Sequence, residues 1–133
     1  MYQQYLIKIG NYKIPLEYIA YESYKFKENS QDVDSGRNAL GELIRNTLEH
    51  KIYKFELNLM GGLNNLEVSN IMNNIRQQFI IPNERRCHVT GYFPEINDYI
   101  EQDMYIPDID YTIQEIGDGV IIYDEIRIAG IGY

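Results

Sequence analysis

Alternation of apolar and polar residues runs through most of the chain and predicts a protein built mainly of strands. Leu6-Ile7-Lys8-Ile9 and Tyr12-Lys13-Ile14 flank Gly10-Asn11, a pair suited to the positive φ angles of a tight hairpin turn. Pro15 ends that hairpin because it cannot donate to a ladder, which leaves 16–20 as a connector. Tyr21 to Phe26 alternates again, with Glu22, Tyr24 and Phe26 on one side, and predicts a strand with one wet face. Turn formers then crowd together from Lys27 to Asn38, among them Asn29, Ser30, Asp32, Asp34, Ser35 and Gly36. They predict a long exposed loop over about 28–41.

Leu40, Leu43, Ile44 and Leu48 sit at near-helical spacing, but Gly41 and Thr47 weaken a helix there and the next segment needs a partner, so 40–49 is read as strand. Ile52 to Leu59 is the clearest strand of all, with Tyr53, Phe55, Leu57 and Leu59 facing one way and Lys54, Glu56 and Asn58 the other. Gly61-Gly62 breaks it. A helix follows over about 65–79, capped by Asn64 or Asn65, with Glu67 placed three residues after Asn64 as in a capping box. Val68, Ile71, Met72, Ile75 and Phe79 form its apolar stripe, and Pro82 stops it. The opposite face holds Ser69, Asn70, Asn73, Asn74 and Gln77. It is polar but almost without charge, so covering it costs less desolvation than covering Lys or Glu.

Beyond the helix, Cys87 to Phe93 alternates with Cys87, Val89 and Phe93 toward the core, and Pro94 ends that strand. The acidic stretch Glu95 to Asp110 reads as a protruding loop with a short strand near Met104. Two last strands, Tyr111 to Ile116 and Val120 to Ile128, flank Gly117-Asp118-Gly119, a hairpin signal. Val120-Ile121-Ile122 is apolar on both faces, which predicts a central or covered strand. The fold class is therefore mainly β (α+β): a β-sandwich or partly closed barrel of about seven or eight antiparallel strands with one packed helix.

Length makes this a single domain over residues 1–133, large enough to bury roughly two-thirds of its unfolded surface without a metal or disulfide. One cysteine, Cys87, cannot form an internal disulfide, so no oxidising compartment is implied. The first residues lack the basic start and apolar run of an export signal, and no segment approaches the ~20 apolar residues of a membrane span. Synthesis and folding in cytoplasm is the expectation. A net charge of −8, from 20 acidic and 12 basic residues, repels phosphate and disfavours nucleic acid as a direct ligand. Thirteen tyrosines without a tryptophan suit either pleated strands or protein interfaces.

Candidate chemistry is thin. Cys87 and His88 are adjacent, so in a strand they point to opposite faces and cannot act as nucleophile and base. Nothing in the sequence brings His50 to them. Asp32 with Asp34, and Asp108 with Asp110, are spaced like the start of a calcium loop but lack its glycine and terminal glutamate. Gly61-Gly62-Leu63 precedes a helix as in a phosphate loop, without that motif's lysine and hydroxyl. The expectation is a non-enzyme with no cofactor and no metal.

The chain resembles a family of short proteins, of unknown biochemical role, encoded in the tail modules of siphophages of Gram-positive bacteria. The resemblance rests on the opening hairpin Leu6 to Pro15, the loop Ser35-Gly36-Arg37 with Gly41 behind it, the strand Ile52 to Leu59 and the Glu67 helix; it weakens after about Pro94. By analogy it implies the fold of phage tail-tube, tail-terminator and distal-tail proteins. The implied function is that of a virion structural protein, a ring-forming tail subunit of the tube, distal tail or baseplate hub, acting by self-assembly. Its implied partners are copies of itself, in a six-fold ring as is common in such tails, and other tail proteins, with DNA passing an acidic lumen unbound and no membrane involved. A head–tail connector or terminator, or a small monomeric phage protein that blocks a host factor, are the alternatives. Residues expected at subunit interfaces are Asp34, Ser35, Gly36, Arg37 and Asn38 in the loop, with Arg37 pairing to a carboxylate of the next subunit, and Asn70, Asn73, Asn74 and Gln77 on the helix.

Overall fold

The computed structural model describes residues 1–28, 32–37, 43–47 and 51–133, with backbone alone for 32–37 and 43–47. In chain order the strands are β1 (Ile7–Ile9), β2 (Tyr12–Lys13), β3 (Lys25–Glu28), β4 (Asp32–Arg37), β5 (Leu43–Thr47), β6 (Tyr53–Leu59), β7 (Arg86–Phe93), β8 (Asp98–Tyr105), β9 (Ile113–Gly117), β10 (Val120–Tyr123) and β11 (Ile126–Gly132). One helix, α1 (Asn65–Arg76), lies between β6 and β7. Every described strand pairing is antiparallel.

Seven strands form one sheet in the order β2-β1-β7-β8-β11-β6-β3. It behaves as two layers meeting at a corner. Strands β8 and β11 pair only through Ile131 with Tyr105 and Gly132 with Met104, whereas β7 and β8 pair along eight residues. The coil brings the far edge β3 back over β7. The Phe26 ring on β3 lies 5.5 Å from that of Phe93 on β7, and the Tyr24 hydroxyl donates to the carbonyls of Tyr92 (2.8 Å) and Leu6 (3.2 Å). Burial drives the Tyr24 hydroxyl's pKa well above its ordinary value. This seam is closed by side chains rather than by a ladder, so the result is a sandwich curled into a partly closed barrel.

Inside the curl sit Ile7, Ile9, Phe55, Leu57, Leu59, Cys87, Val89, Met104, Ile126 and Ile128, all fully buried. Helix α1 covers one end of this core with Val68, Ile71, Met72 and Ile75. Its first turn is set by the capping box: Asn64 Oδ1 accepts from the Glu67 amide at 2.9 Å, and Glu67 Oε1 accepts from the Asn64 amide at 3.4 Å. That end is tied to β10, where Leu63 and Tyr123 exchange backbone bonds with their neighbours (Tyr123 amide to Leu63 carbonyl, Gly62 amide to Tyr123 carbonyl, 2.9 Å each). The other end reaches the β1–β2 turn, where the Asn11 amide donates to Gln78 Oε1 at 3.0 Å.

Several elements differ from the sequence reading. The strand expected at 21–26 begins only at Lys25, because Glu22 turns the chain with φ 60° and the Ser23 hydroxyl bonds back to the Ala20 carbonyl. The loop expected over 28–41 contains strand β4, paired with β5 from Asp32 opposite Thr47 to Arg37 opposite Leu43. Turn-forming side chains do not prevent a two-stranded ribbon whose backbone ladder is closed on itself. The helix stops at Arg76 rather than 79; the amides of Gln78 and Phe79 take the tighter bonds to Ile75 and Arg76.

The largest correction is at Glu95 to Asp110. Instead of a protruding loop, it holds the eight-residue strand β8. Pro94–Ile96 makes a single tight turn, Asn97 adopts φ 51°, and the chain returns along β7. Of the carboxylates that suggested a loop, Asp98 meets the N-terminal ammonium, Glu101 and Asp103 face His88 and Arg86 on β7, and Asp108 lies 3.9 Å from Arg85. Finally, Val120 to Ile128 is two strands rather than one. Strand β10 forms a separate two-stranded sheet with β9, and Val120 is exposed rather than covered; β11 is an interior strand of the main sheet, between β8 and β6.

Candidate functional site

Residues expected at interfaces fall on two separate elements. Asp34, Ser35, Gly36 and Arg37 lie on β4, with Asn46, Arg45, Ile44 and Leu43 opposite them on β5. Strand β4 follows β3 in the chain, and β5 precedes β6. Since Lys25 to Glu28 pairs with Glu56 to Tyr53, the chain arms that pair in β3–β6 are the same arms that pair again in β4–β5. The ribbon is thus formed by the chain that connects two paired strands of the main sheet, β3 and β6. Asn38 and His50 lie outside the described residues.

On α1, Asn70 and Asn73 are exposed, Asn74 is half-buried, and Gln77, at the C-cap, is exposed. Asn74 Nδ2 donates to the Asn70 carbonyl at 2.9 Å, and Asn73 Nδ2 lies 3.5 Å from Ser69 Oγ. The outer face is therefore partly self-satisfied. It also carries a residue that the sequence reading missed: Leu66, four positions before Asn70, is 76% exposed. Its signal was present as an apolar residue off the buried stripe. Beside the helix, Asn65, Ser69, Met72, Tyr111 and Tyr123 line an open cleft of about 230 Å³.

Strands β7 and β8 carry Cys87 and His88, the candidate chemical groups, together with Arg86 and Asp103. Cys87 is fully buried and burial pushes its thiol up to about 12, while His88 is exposed on the other face, as adjacency in a strand requires. His88 instead faces Asp103, its cross-strand partner: His88 Nδ1 is 3.1 Å from Asp103 Oδ1, and Arg86 donates to Asp103 Oδ2 at 3.1 Å. The His88 bond, then Arg86, hold the Asp103 carboxyl below the usual aspartate range. A lowered folded-state pKa contributes stability that is present above the unfolded value of about 3.9 and lost as pH falls through the folded one. Asp103→Asn is therefore expected to flatten the fall in Tm between about pH 5 and 2, measured by thermal melts. An unchanged acid limb would show that this cluster contributes nothing there. Among the described residues, no group of three His, Cys, Asp or Glu stands close enough to hold a metal ion.

This geometry defines a β-sandwich with a two-stranded ribbon, β4–β5, between β3 and β6 in the chain and a helix over one end of the core. The chain belongs to a family of unknown function (DUF6711), which matches residues 1–133. No curated protein matches it. Among solved structures, it is similar to a chain in the tail of an empty GTA particle with C6 symmetry, at 15% identity and TM-score 0.51, covering 98% of this chain and 92% of that one. It is similar to the same extent, at 17% identity and TM-score 0.51, to a chain in the virion of a native gene transfer agent particle. At such identities the likeness is one of fold, and it spans nearly the whole of both chains.

Proposed function

We propose that this protein is a structural subunit of a phage tail, of the siphophage type that infects Gram-positive bacteria, and that it acts by assembling into rings in the tube, distal tail or baseplate hub. The observation that carries the reading is the full-length likeness of fold to a chain of a six-fold tail. Rings of this kind form when one patch of a subunit meets a different patch of the next and the rotation closes. The β4–β5 ribbon supplies the reach. Connecting β3 to β6, it is the element that contacts the neighbouring subunit or ring, with Arg37 pairing to a carboxylate there and the uncharged face of α1, Asn70, Asn73, Asn74 and Gln77, as a second contact. A six-subunit ring carries six times −8, about −48, so a channel lined by that charge lets DNA pass without adhering.

The test is direct. Purified protein is expected to give rings in negative-stain images and a scattering mass well above its 15.7 kDa. A monodisperse monomer at high concentration would overturn the reading in favour of a small binding protein. Arg37→Glu is expected to lose most rings while keeping the wild-type unfolding transition; intact rings in that variant would remove the ribbon's role.

A further inference from the structure

The outer face of β3, β6 and β11 is basic in a chain whose net charge is −8. Lys25 and Lys27 alternate with the buried Phe26 on β3, and Lys54 and Glu56 flank the buried Phe55 on β6. Lys27 stands directly opposite Lys54. Like charges in that position repel across an antiparallel pair. The one carboxylate on this face, Glu56, is held by Arg127 at 2.9 Å, which keeps it below the usual glutamate range. Among the described residues, no carboxylate lies within ion-pair distance of Lys25, Lys27 or Lys54. These lysines, Phe55 and Glu56 edge a hollow of about 180 Å³.

The β9–β10 hairpin is the opposite in charge. From Asp108 to Glu125 the chain has six carboxylates and no Lys or Arg. Within the hairpin Glu115 and Asp118 have no cation at ion-pair distance among the described residues. Strand β9 is exposed along its whole length, with Ile116 at 74% and Ile113 at 49%, and Val120 on β10 is 43% exposed. A two-stranded hairpin with its apolar residues in water is marginal by itself and is stabilised by what packs on it.

We infer that the acidic, apolar-tipped β9–β10 hairpin of one copy docks on the basic β3–β6 face of a second copy, Glu115 and Asp118 meeting Lys25, Lys27 and Lys54. Charge complementarity selects the occupant: one surface carries an excess of cations around the single carboxylate Glu56, the other carries carboxylates and no Lys or Arg, on a single chain. Two different patches meeting head to tail generate a closed ring or an open filament. The inference rests on the ring-forming reading and names the contact within it.

Two charge-reversed variants of the full chain test it by sedimentation at low and high salt. Self-association of the wild type is expected to weaken with salt. Lys25→Glu with Lys27→Glu, and separately Glu115→Lys with Asp118→Lys, are each expected to weaken it at least about tenfold, since like charges then face each other. Mixing the two variants restores assembly, because each then offers the surface that the other needs. Assembly by each variant alone at wild-type strength overturns this contact and leaves the ring reading standing, as does loss without rescue on mixing. A wild type that stays monomeric overturns both. Lysine-dependent retention of the wild type on immobilised DNA, with assembly unaffected by the reversals, would assign the basic face to nucleic acid and overturn the contact.

Discussion

Phe55→Ala is expected to lower the unfolding free energy by about 3–5 kcal/mol, the range for truncating a large buried aromatic. Phe55 is fully buried at the middle of β6, paired with Phe26 on one side and Gly130 on the other. Its ring lies directly against Gly130, so close that a Cβ there would overlap it. The space left by removing the ring cannot be refilled from β3 or β11, because both strands are held to β6 by their own ladders. Nor can it be refilled from above, where Leu57, Met104 and Ile128 are already fully buried neighbours in the core. Equilibrium denaturation in urea measures the effect. A loss below about 1 kcal/mol would mean that the core collapses around the gap, and that β6 is not the axis on which the sheet is packed.

That β6 occupies this position was legible, because alternation from Tyr53 to Leu59 is uninterrupted and ends at glycines. The helix was legible for a related reason: Asn64 and Glu67 make the cap that their spacing predicts, and the apolar stripe is the buried one. The segments where structure departs from expectation share a cause: acidic or small residues mask the alternation of a strand. Strand β8 carries Ile100, Gln102 and Met104 alternating with Tyr99, Glu101 and Asp103, a period of two hidden by charges whose partners, His88 and Arg86, sit on the neighbouring strand. Nothing local announces those partners. Strand β4 is rich in Asp, Ser and Gly, and its pairing with β5 is a property of two segments rather than one. The same limit applies to the surfaces. Lys25, Lys27 and Lys54 become one patch only because register places β3 beside β6, and the exposure of Ile113, Ile116 and Val120 follows from β9–β10 standing outside the main sheet.

Gly91→Val is expected to lower the unfolding free energy by about 1–3 kcal/mol, the cost of inserting carbon into a packed core. Gly91 lies at the middle of β7, between Ile7 on β1 and Ile100 on β8. A Cβ there would overlap the Phe26 ring and come within 3.1 Å of Ile7 Cδ1. Ile7 is fully buried and cannot yield, so the ring must move. Phe26 sits on β3, the free edge of the seven-stranded order, and its contact with β7 is what turns an open sheet into a nearly closed one. Displacing it loosens the seam that the Tyr24 hydroxyl spans and shifts the strand that presents Lys25 and Lys27. A double-mutant cycle separates this cause from a general loss of strand propensity. If the clash is the cause, Phe26→Leu is less costly in the Gly91→Val background than in the wild type. Strict additivity of the two losses would place the damage in the backbone of β7 and leave the seam out of it.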